Sequence, residues 1–208
     1  MPVLEPEIFF VDTQFAWSTK IQEVDRARSK LLSSIPDSKE RNEIIIRQTC
    51  KAAESGRAVL VLTERVAHAK ALGFEIANRL KPLGLTVGVV VGETKKEDRE
   101  AAYKCNVLVA TIQLIATGFN EPRLDTLVFA TPYQSYTQAV GRIRRVHPGK
   151  KKPFVLDLVD TKSKTAMILA QARFKKYLAD GWKIHGLSCF SKEFLWKYKS
   201  QILEMQQK

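Results

Sequence analysis

Two arginines in the segment 138–145, which reads QAVGRIRR, are the side chains best suited to chemistry in this sequence. On a helix, the spacing of Gln138, Gly141, Arg142 and Arg145 places them on one face. Guanidinium groups one turn apart can form charge-assisted, forked hydrogen bonds to phosphate oxygens. A solvated basic helix is the alternative, but the apolar residues between these positions indicate a helix that is partly packed. The segment therefore predicts a phosphate-binding site.

The loop 111–122, with the sequence TIQLIATGFNEP, is a second candidate. Thr111 stands where a strand should end and a short helix begin, so its hydroxyl and the free backbone N–H groups could hold a phosphate. Gly118 permits a tight turn or the close approach of a ligand, and Asn120 adds a polar amide. An ordinary strand–helix loop explains the same residues equally well.

Six short apolar segments predict the strands that must position these loops. They lie at 8–11, 58–62, 86–91, 106–110, 126–130 and 153–158. Because they are rich in Val, Ile, Leu and Phe and mostly do not alternate with polar residues, they are typical of strands buried on both faces, as in parallel sheets. In such sheets, ligands meet the loops at the carboxyl ends of the strands.

Helical patterns separate these strands. Asp37 and Glu40 resemble a capping box, and the helix that follows them can close at Gly56. Further helices are predicted at 64–80, 97–104, 161–179 and 191–205. The alternation predicts an α/β fold, a doubly wound parallel sheet flanked by helices, over residues 1–180. Residues 181–208 are expected to form a helical extension outside the sheet, packed on or beside it.

The composition favours a folded intracellular protein with a polyanionic partner. The chain has 208 residues and three cysteines without a Cys-x-x-Cys pair, so we expect a reducing compartment and neither a disulfide framework nor a metal site. Residues 106–208 carry 17 basic and 7 acidic side chains, most of the net charge of +12. This concentration favours nucleic acid over a membrane. Lys150, Lys151 and Lys152 could add an outer electrostatic patch, although a solvated loop explains them as well.

These segments, taken together and in order, resemble the superfamily 2 helicases. The segment 138–145 matches motif VI, Gln-x-x-Gly-Arg-x-x-Arg, and GFNEP in the loop 111–122 resembles motif V. VLVLTER at 59–65 is similar to motif IV, and VGETKKEDRE at 91–100 to the segment with a glycine and a downstream arginine that follows it. The resemblance is nearest to helicases of large cytoplasmic DNA viruses, of the poxvirus transcript-release and African swine fever virus type, and to their phage relatives.

The resemblance implies a RecA-like fold and the second motor domain of an ATP-dependent DNA or RNA helicase. It assigns Arg142 and Arg145 to the γ-phosphate of ATP as arginine fingers. The nucleotide-binding positions that it implies are Gln138, Gly118, Asn120 and Gly141. The contacts to the nucleic-acid backbone that it implies are made by Thr111, Arg99 and Gly92.

Two departures from the family pattern matter. Motif V usually carries an aspartate where Asn120 stands, which puts in doubt a carboxylate role in holding a ribose or orienting water. The sequence also has no Gly-x-x-x-x-Gly-Lys-[Ser/Thr] loop and no Asp-Glu-x-x box, which supply the phosphate cradle and the magnesium site. The resemblance therefore places ATP and Mg²⁺ mainly on an N-terminal RecA-like domain of the same polypeptide. We expect a monomeric fragment that has no ATPase activity alone.

Two other classes of function fit part of this sequence. A non-catalytic basic nucleic-acid-binding α/β module would use the same cationic half but would not need two arginines beside Gln138 and Gly141. A nucleotide-binding enzyme such as a glycosyltransferase would need acidic ligands for a metal-bound sugar nucleotide, and the sequence has no Asp-x-Asp. If the protein is viral, we expect it in the host cytoplasm and in the virion.

Overall fold

The protein is built around one seven-stranded parallel sheet. The computed structural model describes residues 3–116, 119–133 and 136–207. The strands are β1 (Glu7–Asp12), β2 (Val59–Thr63), β3 (Val87–Val90), β4 (Val107–Thr111), β5 (Thr126–Phe129), β6 (Phe154–Val159) and β7 (Lys183–His185). Their order is β3-β4-β2-β5-β6-β1-β7, and all neighbours are parallel. All strands therefore end at one edge of the sheet, the carboxyl edge, and begin at the opposite amino edge.

Apolar side chains cover both faces of this sheet. In β2, Leu60 and Leu62 pack into one core and Val59 and Val61 into the other, because successive side chains of a strand point to opposite faces. Every residue of β2 and β4 is buried. Full burial of one such side chain contributes about 1.5–3 kcal/mol. The predicted doubly wound α/β fold is confirmed, and the six predicted strands correspond to β1 to β6.

Helices flank the sheet on both faces. They are α1 (Val24–Ser34), α2 (Lys39–Glu54), α3 (Val66–Leu80), α4 (Lys96–Tyr103), α5 (Gln113–Ala116), α6 (Thr137–Ile143), α7 (Lys164–Ala179), α8 (Lys192–Trp196) and α9 (Lys199–Gln206). α2 and α3 bury residues such as Ile45 and Leu72 against one face. α4, α6 and α7 bury Ala102, Val140 and Phe174 against the other. Within the described ranges, no helix combines the length and the apolar character needed to cross a bilayer.

The cap of α2 differs from the predicted one by a single residue. The sequence pattern assigned Asp37 as the cap, paired with Glu40. In the structure, the side chain of Ser38 accepts a hydrogen bond from the Arg41 N–H at 3.3 Å, and Asp37 belongs to the preceding 3₁₀ turn. Ser38 rather than Asp37 caps the helix because Ser38 has the extended backbone of an N-cap residue.

The segment 181–208 contributes a strand as well as helices. β7 pairs with β1, so the expectation that this segment lies outside the sheet is wrong. The chain turns after β7 at Gly186, whose φ is +76° and where an added Cβ would lie 2.2 Å from the carbonyl oxygen of Phe10. Only glycine fits this close approach. The predicted helix 191–205 is divided into α8 and α9, and the domain boundary at residue 180 stays a prediction.

A buried arginine of α2 anchors the start of the segment 130–133, which leads from β5 towards α6. Arg41 is fully buried, and its Nε donates to Asp160 Oδ1 at 2.8 Å. Its Nη1 donates to the carbonyl oxygen of Ala130 at 2.5 Å. The Thr13 hydroxyl, which follows β1, also donates to Asp160 at 2.5 Å. One guanidinium group thus joins α2 to the ends of β5 and β6.

A second buried arginine, on α7, anchors the other end of the same segment. Arg173 is 1% exposed, and its Nε and Nη2 donate to the two carboxylate oxygens of Asp157, each at 2.7 Å. Its Nη1 donates to the carbonyl oxygen of Tyr133 at 3.0 Å. Burial and the Asp157 charge raise the pKa of Tyr177, so its hydroxyl remains a protonated donor to Asp157 at 3.0 Å.

We expect Asp157→Ala to lower the free energy of unfolding by about 3–5 kcal/mol, because it leaves the Arg173 guanidinium buried without its partner. Urea unfolding followed by circular dichroism measures this change. Glu75→Ala, at an exposed position of α3, is the control and should change stability by less than about 0.5 kcal/mol. A loss below about 1 kcal/mol for Asp157→Ala would show that the Arg173 anchor is dispensable.

Candidate functional site

α6 carries the first arginine of the segment 138–145 but ends before the last one. The sequence pattern predicts both arginines on one helical face, yet α6 ends at Ile143 and Arg145 lies beyond it. The predicted shared face is therefore wrong for Arg145. The N-terminal segment pairs with the chain where the helix stops. The Leu4 N–H donates to the Arg144 carbonyl at 2.8 Å, Arg144 Nε donates to the Leu4 carbonyl at 3.0 Å, and Val3 forms an antiparallel bridge with Arg145.

The two arginines nevertheless lie close enough to affect each other. Burial and the positive charge of Arg145 lower the pKa of the half-buried Arg142. Arg145 Nη1 donates a hydrogen bond to Oδ1 of Asn120, in the loop that follows α5. Across the described part of the chain, no carboxylate forms an ion pair with Arg145. Because an amide oxygen carries no charge, the positive charge of Arg145 is held in place without being neutralised.

The other predicted nucleotide-binding residues are placed differently from one another. Gln138 is exposed on α6. Gly141 is also on α6, and a Cβ added there would meet nothing within 4 Å, so packing inside this chain does not require glycine. Asn120 is exposed beside Arg145. Gly118 lies outside the described residues.

Lys150 joins the loop of Asn120 to the end of the arginine segment. Its Nζ donates to the carbonyl oxygen of Pro122 at 2.7 Å and to that of Arg145 at 2.8 Å. Burial lowers the pKa of Lys150 from 10.5 to about 8, against the opposing effect of Asp125. Lys150 therefore turns inward, which does not match its prediction as part of an outer electrostatic patch.

The two lysines that follow Lys150 also contact the chain itself. Lys151 Nζ donates to the Ser55 carbonyl, and Lys152 Nζ pairs with Glu7 Oε1 at 2.7 Å. Both lysines lie two or three residues before the start of β6, and Glu7 is the first residue of β1, so they lie at the amino edge. The structure does not bring them together with Thr111, which ends β4 at the carboxyl edge.

Three of the residues predicted to contact nucleic acid do lie together at the carboxyl edge. Thr111, Gly92 and Arg99 line a small cavity of about 80 Å³. Arg99 Nη2 donates to the Thr94 carbonyl at 2.9 Å, which fixes the turn after β3. Gly92 is exposed, and an added Cβ there would meet nothing within 4 Å. Thr111 is only 3% exposed, and it lines this cavity.

A parallel sheet with helices on both faces defines a doubly wound α/β domain, and the sequence comparisons specify its family. Residues 40–147 match the helicase conserved C-terminal domain family. This match spans more than half of the 208 residues and includes both arginines and the loop of Asn120. The chain belongs to this family and is a C-terminal domain of the superfamily 2 helicase type.

Similar curated proteins are viral. A protein of Acanthamoeba polyphaga mimivirus, provisionally named ATP-dependent RNA helicase L396, is 25% identical over 138 residues, 66% of this chain and 26% of that protein. The provisionally named helicase 161L of Invertebrate iridescent virus 6 is 30% identical over 73% of this chain and 36% of its own length. Probable helicase D10 of Escherichia phage T5 is 27% identical over 69% of this chain and 33% of its own length. The chain thus spans about a third or less of these relatives.

Solved structures share the fold. T4 UvsW aligns with a TM-score of 0.63 at 20% identity, over 87% of this chain and 40% of that one. Domain 2 of the DEAD-box helicase Mss116p aligns with a TM-score of 0.53 at 14% identity, over 96% of this chain and 68% of that one. At these identities the likeness establishes the RecA-like fold.

Sequence reasoning missed Lys150 and the buried arginines Arg41 and Arg173 as residues that position the site. Asp157 and Asp160 gave a usable signal, because a carboxylate within or next to the buried run of β6 requires a cationic partner. No comparable signal marks Lys150, whose neighbours in sequence are also lysines.

We expect the stability that depends on Lys150 to rise between pH 8 and about 10.5. Since the folded chain releases this proton at lower pH than the unfolded chain, the unfolded state holds more protons in that window and stability increases with pH. Urea unfolding at pH 7.5 and 9.5 should show a rise in the wild type that is smaller in Lys150→Met. Lys95→Met, at an exposed position, is the control and should follow the wild type. Parallel pH profiles for all three proteins would contradict this assignment.

Proposed function

We propose that this chain is the second motor domain of an ATP-dependent DNA or RNA helicase. An N-terminal RecA-like domain of the same polypeptide binds ATP and Mg²⁺, and Arg142 and Arg145 contact the γ-phosphate when the two domains close. The observation that carries this proposal is the Arg145–Asn120 hydrogen bond, which brings the two family motifs together around a charge that no ion pair within the described residues neutralises. The match to the helicase family over residues 40–147 supports it.

The residues of this chain suit a role that completes, rather than forms, a nucleotide site. Bound Mg²⁺ would neutralise charge on the transferring phosphoryl group. The guanidinium forks of this chain would contact the equatorial oxygens of that group, where negative charge is spread in the transition state. Gln138, exposed on α6, would contact the nucleotide or the closed interface.

We assign the nucleic-acid backbone to the carboxyl edge, where Thr111, Gly92 and Arg99 lie together. Gly92 leaves room for close approach of a phosphate, and the net charge of the chain attracts a polyanion. Mss116p domain 2, whose fold this chain shares, is bound to an RNA duplex in its solved structure. The lysine run 150–152 lies at the amino edge and is left out of this surface.

The arginine assignment predicts a loss of turnover in the polypeptide that joins this chain to its N-terminal domain. Arg142→Ala and Arg145→Ala should each lower kcat for ATP hydrolysis by roughly 10²-fold or more, because each removes a preorganised charge donor. ATP affinity should change much less. Replacement of either arginine by Lys should restore little activity, since a point charge cannot form the fork.

Arg47→Ala, at an exposed position of α2, is the matched control and should hydrolyse ATP at the wild-type rate. Thermal melts of each variant separate catalysis from folding. Near-normal kcat in both Ala variants would contradict the arginine-finger assignment. The non-catalytic nucleic-acid-binding module would then be the favoured function. Unfolded variants would make the arginines structural residues.

Residues 1–208 alone should hydrolyse ATP no faster than a buffer blank, because the sequence lacks the phosphate loop and the Asp-Glu box. Phosphate release measured with and without single-stranded nucleic acid checks this expectation. The Arg145→Ala variant, purified in the same way, reports any contaminating ATPase. Turnover that is present in the wild-type chain and absent from that variant would show that this chain is a complete enzyme.

A further inference from the structure

A groove outside the family match has the charge and shape of a binding site. It has a volume of about 570 Å³, within the range of ligand sites, about 300–1,000 Å³. Its walls come from two segments, 17–28 and 162–169, and both lie outside residues 40–147. This groove is therefore a feature of this chain that the family match does not include.

The walls of the groove are cationic. Among the described residues that line it, four are Lys or Arg and none is acidic. The charge of Arg28 is balanced, because its Nη2 forms an ion pair with Glu64 Oε1 at 2.5 Å. Lys20, Lys162 and Lys164 are exposed and form no ion pair within the described residues. Three uncompensated cations around one groove favour a ligand with several negative charges.

The groove also offers apolar surface. Trp17 is half-buried, packed at the edge of a small core of Leu31, Leu32, Ile35 and Ala166. Ile168 lines the groove and is 52% exposed. An aromatic side chain among cations is the combination on which unpaired bases stack while their phosphates are neutralised.

The position of the groove connects it to the proposed nucleic-acid edge. Lys162 follows β6 and Trp17 follows β1, so both lie at the carboxyl edge. Glu64, which holds Arg28, directly follows β2 at the same edge. β6 is three strands away from β4 in the sheet order, so the groove lies roughly 15 Å along this edge from Thr111.

We propose that this groove binds a segment of single-stranded nucleic acid that continues from the surface formed by Thr111, Gly92 and Arg99. Lys20, Lys162 and Lys164 contact its phosphates, and Trp17 provides a stacking surface for a base. A single strand fits better than a duplex, because paired bases are stacked inside the duplex and cannot reach Trp17. This inference rests on the proposed nucleic-acid function and extends it to residues outside the family match.

The test compares two triple variants of the 208-residue chain that remove the same charge. The groove variant is Lys20→Gln, Lys162→Gln and Lys164→Gln. The control variant is Lys81→Gln, Lys104→Gln and Lys183→Gln, at exposed positions of the amino edge. Fluorescence anisotropy with a labelled oligothymidylate of 20 nucleotides measures affinity from low to moderate salt, and thermal melts confirm folding.

The groove variant should bind at least tenfold more weakly than the wild type at low salt. Its slope of log affinity against log salt should fall by about 2, since each phosphate contact to a single strand contributes about 0.7. The control variant should stay within about threefold of the wild type, the scale of a non-specific change in net charge. Trp17→Leu should weaken binding by about tenfold with little change in the salt slope, because stacking is not ionic.

Other results would overturn this assignment. Equal losses in the two triple variants would mean that only net charge matters. A loss confined to a duplex of the same length would exclude a single strand, and competition by polyglutamate as strong as by oligothymidylate would indicate an acidic protein partner. Binding that weakens in Arg99→Ala but not in the groove variant would reject the groove proposal and leave the proposed nucleic-acid function intact. A wild-type chain that binds no oligonucleotide would reject the proposed nucleic-acid function as well.

Discussion

Two buried guanidinium groups fix the segment 130–133, and the arrangement of the candidate site depends on them. Arg41 holds the Ala130 carbonyl and Arg173 the Tyr133 carbonyl, while Asp160 and Asp157 balance their charges. Replacing such pairs with apolar residues is often neutral or stabilising in other proteins, so their value here lies in position more than in net stability. They specify where the chain leaves β5, and therefore where α6 begins.

α6 lies between the residues proposed to bind nucleic acid and the arginines proposed to contact the γ-phosphate. It starts after the carboxyl end of β5, and the chain beyond it reaches Val3, which lies before the start of β1. Thr111, Gly92 and Arg99 lie at the carboxyl edge, whereas Arg145 lies towards the amino edge with Lys150. One short helix and one anchored segment thus join the carboxyl edge to the arginines. This connection would give the proposed strand binding and the proposed domain closure a shared physical element.

The sequence predicted the sheet because six of its strands are apolar runs long enough to recognise, and β2 and β4 are buried at every position. β7 was not predicted because it is three residues long and only Ile184 is buried in it. The shared face of Arg142 and Arg145 failed for a different reason. Helical periodicity cannot foresee that the N-terminal segment pairs with Arg144 and Val3 with Arg145, a contact between residues some 140 positions apart in the chain.

Charge counted along the sequence overestimates the cationic surface that a ligand can reach. The second half of the chain holds most of the net charge, yet Arg173 is buried against Asp157, and Lys150 and Lys151 donate to backbone carbonyls. These three cations position the chain, and Lys150 and Lys151 also lie at the amino edge, away from the proposed nucleic-acid surface. Lys162 and Lys164 differ, because they are exposed between the end of β6 and the start of α7 and have no ion-pair partner in the described part of the chain. The residues proposed to bind a strand in the groove are therefore better identified by the edge of the sheet at which they lie and by their exposure than by how densely they cluster in the sequence.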